Sequence, residues 1–326
     1  MAIIYGRAAA EVDLLNRSPD SVKKVEDVEI IHKELREKLT KTRTDFFDKV
    51  PEKIIEEEKI LENIRNDEKA THQKYDEKIK VLEEKKSQGG FSTISASIKI
   101  SLVKNISKRR EINKIKNLEK KQQEQLTEWK ENPDQIFNRE KQDQINEVKT
   151  FAAIEKSKVH KGAKGEVRAL EKLSELSDEY HIFCGIDAEL PNYVTYNGRR
   201  NLRTAQIDFV VLSRRGVILV EVKNWSDRFY RNTDKIQPHE QVDRAARVLW
   251  TVIKSRWGWF AGQTPRVTSV LLSIQGNMRY DRKYKFVNVC NLDSINYFIQ
   301  NRKEVLSDKD VKKLVNMMKD HVSVSK

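Results

Sequence analysis

Cysteine is scarce. The 326-residue chain holds two, Cys184 and Cys290, and no C-x-x-C pair. Its six histidines form no ligand cluster, so a structural zinc site is not expected. Two buried thiols in a reducing, cytoplasmic compartment are the expected reading, with a Cys184–Cys290 disulfide as the alternative. Long apolar runs are missing as well. No stretch approaches the roughly 18 apolar residues of a membrane span. The opening MAIIYGRAAAEVDLL is interrupted by Arg7 and Glu11. It has no basic segment ahead of a long apolar core, so a secretory signal is not expected.

What is abundant is charge. Apolar residues make up 38% and charged residues 35%, more polar than an ordinary globular chain. Part of the molecule must be thinly buried and highly charged. The length suits two domains. The net charge of +13 is uneven: residues 1–150 carry 32 Lys and Arg against 30 Asp and Glu, and the remainder carries 31 against 20. A polyanion is the partner expected for the second half. A basic surface kept for solubility is the plain alternative.

In residues 20–88 apolar positions recur at Val28, Ile31, Leu35, Leu39, Phe46, Val50, Ile54, Leu61, Ile64, Tyr75, Ile79 and Leu82. The spacings predict a helix with one narrow stripe, kinked or broken at Pro51. Ser87-Gln88-Gly89-Gly90 reads as a turn. Helical spacing resumes through Ile106, Ile112, Ile115, Leu118, Leu126 and Trp129. The segment SIKISLV, 97–103, alternates like a strand, but its helical flanks favour helix. The prediction for residues 1–158 is an all-α helical hairpin or coiled-coil domain. A stripe this thin needs a partner, so self-association, a homodimer or larger, is expected; substrate clamping or binding of a regulator are the other roles open to it.

From residue 159 to 326 the pattern becomes α/β: an amphipathic helix from Lys161, strands at 181–190 and in a hairpin over 205–225, a helix at 238–254, strands at 266–273 and 285–290, and a helix from Ser307 to about Val322. Trp257-Gly258-Trp259-Phe260 reads as packing after a helix, with base stacking as the alternative. The hairpin AQIDFVVLSRRGVILVEVKNW breaks its own pattern. Asp208 stands in one apolar run; Glu221 and Lys223 stand in the other. Residues two apart share a strand face, so Glu221 and Lys223 point together. Depending on where the turn centres, Asp208 faces Glu221 or Lys223. Close carboxylates repel unless one takes a proton or a cation lies between them. One or two carboxylates with an open remaining shell describe a magnesium site, and a neighbouring lysine suits a scissile phosphate. A buried salt bridge without chemistry is the rival reading. E-x-K also occurs at Glu84 and Glu119 in solvated helical tracts; only its place at the end of an apolar strand makes Glu221-Val222-Lys223 informative.

The order Gly162-x-x-Gly165-Glu166 on a helix, Ile207-Asp208, Glu221-Val222-Lys223-Asn224-Trp225, then Gln237-Pro238-His239-Glu240-Gln241 resembles the nuclease-related domain, NERD, of the PD-(D/E)XK nuclease superfamily. The resemblance covers about residues 160–320. It implies a restriction-endonuclease-like core, a mixed sheet flanked by helices. It implies Mg2+ or Mn2+ held by Asp208, Glu221 and the Val222 carbonyl, Glu166 as a ligand or orienter, Lys223 positioning the water, and Gln241 contacting metal-bound water or phosphate. DNA is the expected substrate, with RNA as the alternative, and defence against foreign DNA follows only by analogy. Arg214, Arg215 and Lys164 are candidate phosphate contacts. A non-catalytic nucleic-acid-binding or scaffold protein is the competing reading. On its own, Glu166 would read as a helix-dipole residue, and Gln241 as a surface position.

Overall fold

A computed structural model describes residues 1–87, 92–226, 237–257, 263–276 and 278–320. The chain divides into two compact units, one of Met1–His32 with Thr150–Lys326 and one of Lys33–Lys149. The expected division at residue 158 is thus drawn differently by the packing, because the first 32 residues fold with the α/β unit.

The elements of the α/β unit begin with β1 (Ile3–Tyr5) and α1 (Ala9–Arg17). After the helical unit come α7 (Lys158–Ser174), β2 (His181–Tyr196), β3 (Arg199–Ser213), β4 (Gly216–Lys223), α8 (Pro238–Trp257), β5 (Val267–Ser273), β6 (Val287–Asn291), α9 (Leu292–Gln300) and α10 (Asp308–Lys319). Among the described residues the strands form one mixed sheet in the order β1 to β6. β2–β3 and β3–β4 are antiparallel; β1–β2, β4–β5 and β5–β6 are parallel. The α/β expectation holds, but β1 and α9 were missing from it.

Local chemistry explains most boundaries. The Ser157 side chain caps α7 by accepting from His160 N at 3.0 Å. Asn291 with Ser294, and Ser307 with Asp310, form reciprocal caps at α9 and α10, satisfying amides that a helix start leaves open. Pro238 sits in the first turn of α8, where its missing N–H costs nothing. Alternation then assigns the sheet faces. Val217, Leu219, Val210 and Leu212 pack against α8 and α10. Ile218, Val220, Phe209 and Val211 pack against α7 and α9. The result is three layers, the sheet between two pairs of helices. Cys184 and Cys290 are free and buried, and burial pushes their thiols up to about 12 and about 11.

The helical unit holds most of α2 (Asp27–Ser87), α3 (Ser92–Leu102), a wide π turn (Val103–Lys108), α4 (Arg109–Glu131), α5 (Pro133–Glu140) and the start of α6 (Gln142–Lys156). The 97–103 segment is helical over most of its length and ends in the π turn. α2 runs unbroken through Pro51, so of the expected kink or break the break is absent. Proline removes one bond from the ladder, and the buried Val50 and Leu61 on either side keep the helix packed. α2 lies antiparallel to the α3–α4 arm: Lys104 pairs with Glu83, Lys108 with Asp76, Arg65 with Glu119, and Lys130 with Glu58. As one partner's number rises, the other's falls. Gln88, Gly89 and Gly90 of the expected turn lie outside the described residues, as do Gly258, Trp259, Phe260 and Val322.

Candidate active site

The hairpin of β3 and β4 turns at Arg214-Arg215, with Ser213 opposite Gly216. This register continues to Phe209 opposite Val220 and then stops. Asp208 and Glu221 are the next pair in line, which selects the first of the two registers left open by the sequence. Where the ladder ends, a side chain replaces the backbone: Asp208 Oδ2 accepts from Val222 N at 2.7 Å. Asp208, Glu221 and Lys223 all lie on the α8 face of the sheet, because they alternate in step with Val210, Val217 and Leu219.

Glu221 is the centre of the cluster. Its side chain is 2% exposed. Its Oε1 accepts from Lys223 Nζ at 2.7 Å and from Gln241 Nε2 at 2.6 Å. Its Oε2 is buried with no hydrogen-bond partner. Gln241 arrives from the first turn of α8, directly below Pro238. Lys223 also lies over the Trp225 ring, 5.8 Å from its centroid.

Glu166 comes from the other layer. It lies on α7, is 9% exposed, and its Oε2 accepts from Ala10 N of α1 at 3.0 Å. The two glycines before it have different neighbours. A Cβ at Gly165 would sit 2.6 Å from Asn224 Cβ, so only glycine lets the end of β4 pass this helix. A Cβ at Gly162 would meet Ala10 Cβ at 3.8 Å, an ordinary contact. Asn224 Nδ2 ties the crossing by donating to Lys161 O at 2.6 Å.

The electrostatics follow from three acids and one lysine in a poorly solvated place. Burial pushes Glu166 up to about 7, against the pull of the Ala10 amide and with repulsion from Glu221 added. Burial, then repulsion from Glu221 and Glu166, pushes Asp208 well above the usual carboxylate range. Burial alone would lower Lys223; attraction to Glu221, Asp208 and Glu166 outweighs it, and the net shift is upward. One cation does not neutralise this group.

The structure brings Asp208, Glu221, Val222, Lys223 and Gln241 together, sets Glu166 near enough to Glu221 and Lys223 to interact electrostatically, and leaves the candidate phosphate contacts elsewhere. Arg214 faces Glu304 and Asp308. Arg215 donates to the Tyr180 hydroxyl and, at 2.5 Å, to the Arg302 carbonyl, at the opposite end of β4. Lys164 pairs with Glu29 at 2.6 Å. All three make structural bonds. Sequence reasoning missed Asn224 as a tie, and it missed Ala10, for which no local signal exists. Among the described residues no three His, Cys, Asp or Glu side chains are gathered as a metal-binding group, and no helix is long and apolar enough to cross a membrane.

Residues 161–272 match the family model of the nuclease-related domain. That stretch spans α7 to β5 and contains all six clustered residues. No curated protein and no solved structure matches the chain.

Proposed function

We propose, taking as premise that residues 161–272 are a nuclease-related domain, that the protein hydrolyses phosphodiester bonds in nucleic acid, DNA before RNA, with magnesium or manganese. The observation that carries this reading is the buried Glu221 Oε2 without a partner, set with two further carboxylates and a single lysine. A structural ion pair does not need the two extra acids, and burying them uncompensated costs free energy.

The donor set suits a hard divalent cation that takes few protein ligands and keeps its waters. Asp208 and the open oxygen of Glu221 would hold it. The Lys223 carbonyl is taken by Ile274 N at 3.1 Å. By alternation the Val222 carbonyl points to the opposite side, where the β3 ladder has already ended; it would be the third donor. Such an ion would supply polarisation of a phosphodiester oxygen and a bound water of lowered pKa. Lys223 Nζ offsets charge building on the phosphate oxygens, and Gln241 holds Glu221 in place while its amide oxygen orients water. Attack of a water oxygen on phosphorus breaks one P–O ester bond and leaves a phosphate monoester and a hydroxyl group.

α8 offers a path for the strand. After Gln241 come Arg244, Arg247, Trp250 and Lys254, three or four residues apart. Arg247 and Lys254 lie over the Trp250 ring at 5.2 and 5.0 Å, and Arg244 lies over Tyr196 at 5.3 Å. None of the three cations has an acid within ion-pair distance among the described residues. Cations interleaved with aromatic rings suit a phosphate backbone with stacked bases. The helical unit is retained as a self-association or clamping module; Ile98, Leu102, Ile106 and Leu118 remain exposed on it.

The test is nicking of supercoiled plasmid, and of RNA, by purified protein with magnesium or manganese. Asp208→Ala and Glu221→Ala should abolish cleavage and cation binding together. Wild-type cation affinity in both variants would sink the assignment and favour a binding or scaffold role.

A further inference from the structure

The matched domain begins at residue 161, yet one bond to its acid cluster comes from residue 10. The first strand joins the sheet in parallel with β2: Ile3 pairs with His181, Ile4 with Ile182 and Tyr5 with Phe183. Ile3 N donates to Tyr180 O at 2.9 Å, and the Tyr5 ring stacks on Phe183 with centroids 4.4 Å apart. Ala8 is fully buried in the apolar layer of α7. Two glycines face the start of α1. Gly162 on α7 faces Ala10. At Gly185 on β2, φ +59°, a Cβ would lie 3.4 Å from Ala9 Cβ and from the Arg7 carbonyl oxygen. Gly185 falls between the pairs Cys184–Phe209 and Ile186–Ile207, opposite Asp208.

Ala10 is the second residue of α1, so no helix carbonyl can accept its N–H. Glu166 Oε2 accepts it instead, at 3.0 Å. We propose that residues 3–17 form a positioning strap built into this chain: the strand fixes α1, and the Ala10 amide fixes the Glu166 carboxylate beside Glu221 and Lys223. A charge-assisted bond of this kind is about twice as strong as a neutral one. It comes from a rigid helix rather than a rotatable side chain, so it sets orientation as well as charge. The nuclease-related domain alone does not contain it. Ala10 is a positioning residue and touches no reacting atom.

The inference rests on the cation-site reading above, so its test separates the two. Ala10→Pro in the full chain deletes this N–H within the first turn of α1, where no intrahelical bond is lost. Manganese affinity by calorimetry and plasmid nicking are measured for Ala10→Pro, Glu166→Ala and the double variant. Ala10→Pro should weaken both by about tenfold, as expected for the loss of a charge-assisted bond. In the Glu166→Ala background it should add nothing, since coupled residues fail to add. An equal loss in both backgrounds, or wild-type behaviour of Ala10→Pro, overturns the positioning role. Amide exchange supplies an arm that needs neither metal nor activity. The Ala10 amide should exchange slowly in the wild type and fast in Glu166→Ala, with the rest of α1 unchanged. A fast-exchanging wild-type Ala10 overturns the strap itself, even if Ala10→Pro does not fold. Asp208→Ala is the control: if it keeps wild-type manganese affinity, the cation site fails and the positioning role falls with it, while the exchange result still shows whether the bond exists.

Discussion

Gly162 and Gly165 lie three residues apart on α7, and the same substitution at each should have opposite effects. In a helix, glycine is worse than alanine by about 0.5–1 kcal/mol through backbone entropy. At Gly162 the added methyl meets Ala10 Cβ at 3.8 Å, an ordinary contact, so Gly162→Ala should stabilise by about that amount. At Gly165 the methyl meets Asn224 Cβ at 2.6 Å and Asn224 Cγ at 3.3 Å. Carbon atoms settle at about 3.5–4.0 Å. Neither Cβ can rotate away, so α7 and the end of β4 must part by about 1 Å. Such overpacking costs about 1–3 kcal/mol. The 2.6 Å bond from Asn224 to Lys161 O should go with it, at about 1 kcal/mol. After the entropy gain, Gly165→Ala should be destabilised by about 1–3 kcal/mol. The damage should also reach the chemistry. Glu166 follows Gly165 and Lys223 precedes Asn224, and a 1 Å misplacement costs about a hundredfold in rate. The assay is urea unfolding of both full-length variants beside plasmid nicking. The comparison is the difference between variants, because a chain with two units need not unfold in two states. Equal midpoints, or a Gly162→Ala variant worse than Gly165→Ala, would refute the close approach as the reason for glycine at 165.

Asp208→Asn should stop cleavage yet raise the melting temperature at pH 8 without metal. Its amide oxygen still accepts from Val222 N, and the repulsion is gone. The sign follows from the upward shift of Asp208: the native state holds the proton more tightly than the unfolded state, so the acid costs stability as pH rises above about 4. The gap should close at lower pH, at about 2–4 °C per kcal/mol; an unchanged melting curve at pH 8 would contradict it. Lys223→Ala should cut the cleavage rate far more than DNA affinity. Arg247→Glu with Lys254→Glu should instead weaken binding measured in EDTA and flatten its salt dependence, by about one unit for each phosphate no longer neutralised. The reverse pattern would exchange their roles. A fragment of residues 159–326 lacks the strap and leaves the β2 edge bare, so it should be less stable than a chain in which a short Gly-Ser linker replaces 33–149. Joining is feasible because His32, at one junction, is bonded to Glu155, near the other. If the linked chain unfolds while 159–326 alone binds manganese normally, the division into units is wrong.

The candidate site was legible in the sequence where it broke a local pattern. Asp208, Glu221 and Lys223 stood out because period-two alternation and a two-residue turn are short-range properties, and charges in such strands are conspicuous. The α2 and α4 stripes were readable for the same reason, since i to i+3 and i+4 neighbours are set by helix geometry alone. Pro51 was legible only in part, because local propensity says a proline weakens a helix, whereas packing on both sides decides whether it ends one. The choice between two registers was settled by the turn in space. The strap was invisible. β1 has three residues and pairs with a strand about 180 residues away, so nothing local marks it. The same holds for the division into units, because the chain leaves the α/β unit after His32 and returns at Thr150. Gly165 stood in the sequence as part of a motif without a local reason, since its reason is Asn224, brought there by the crossing of α7 and β4. Periodicity records what a residue's sequence neighbours require; the donor to Glu166, and the oxygen of Glu221 left without one, exist only once distant segments close on each other.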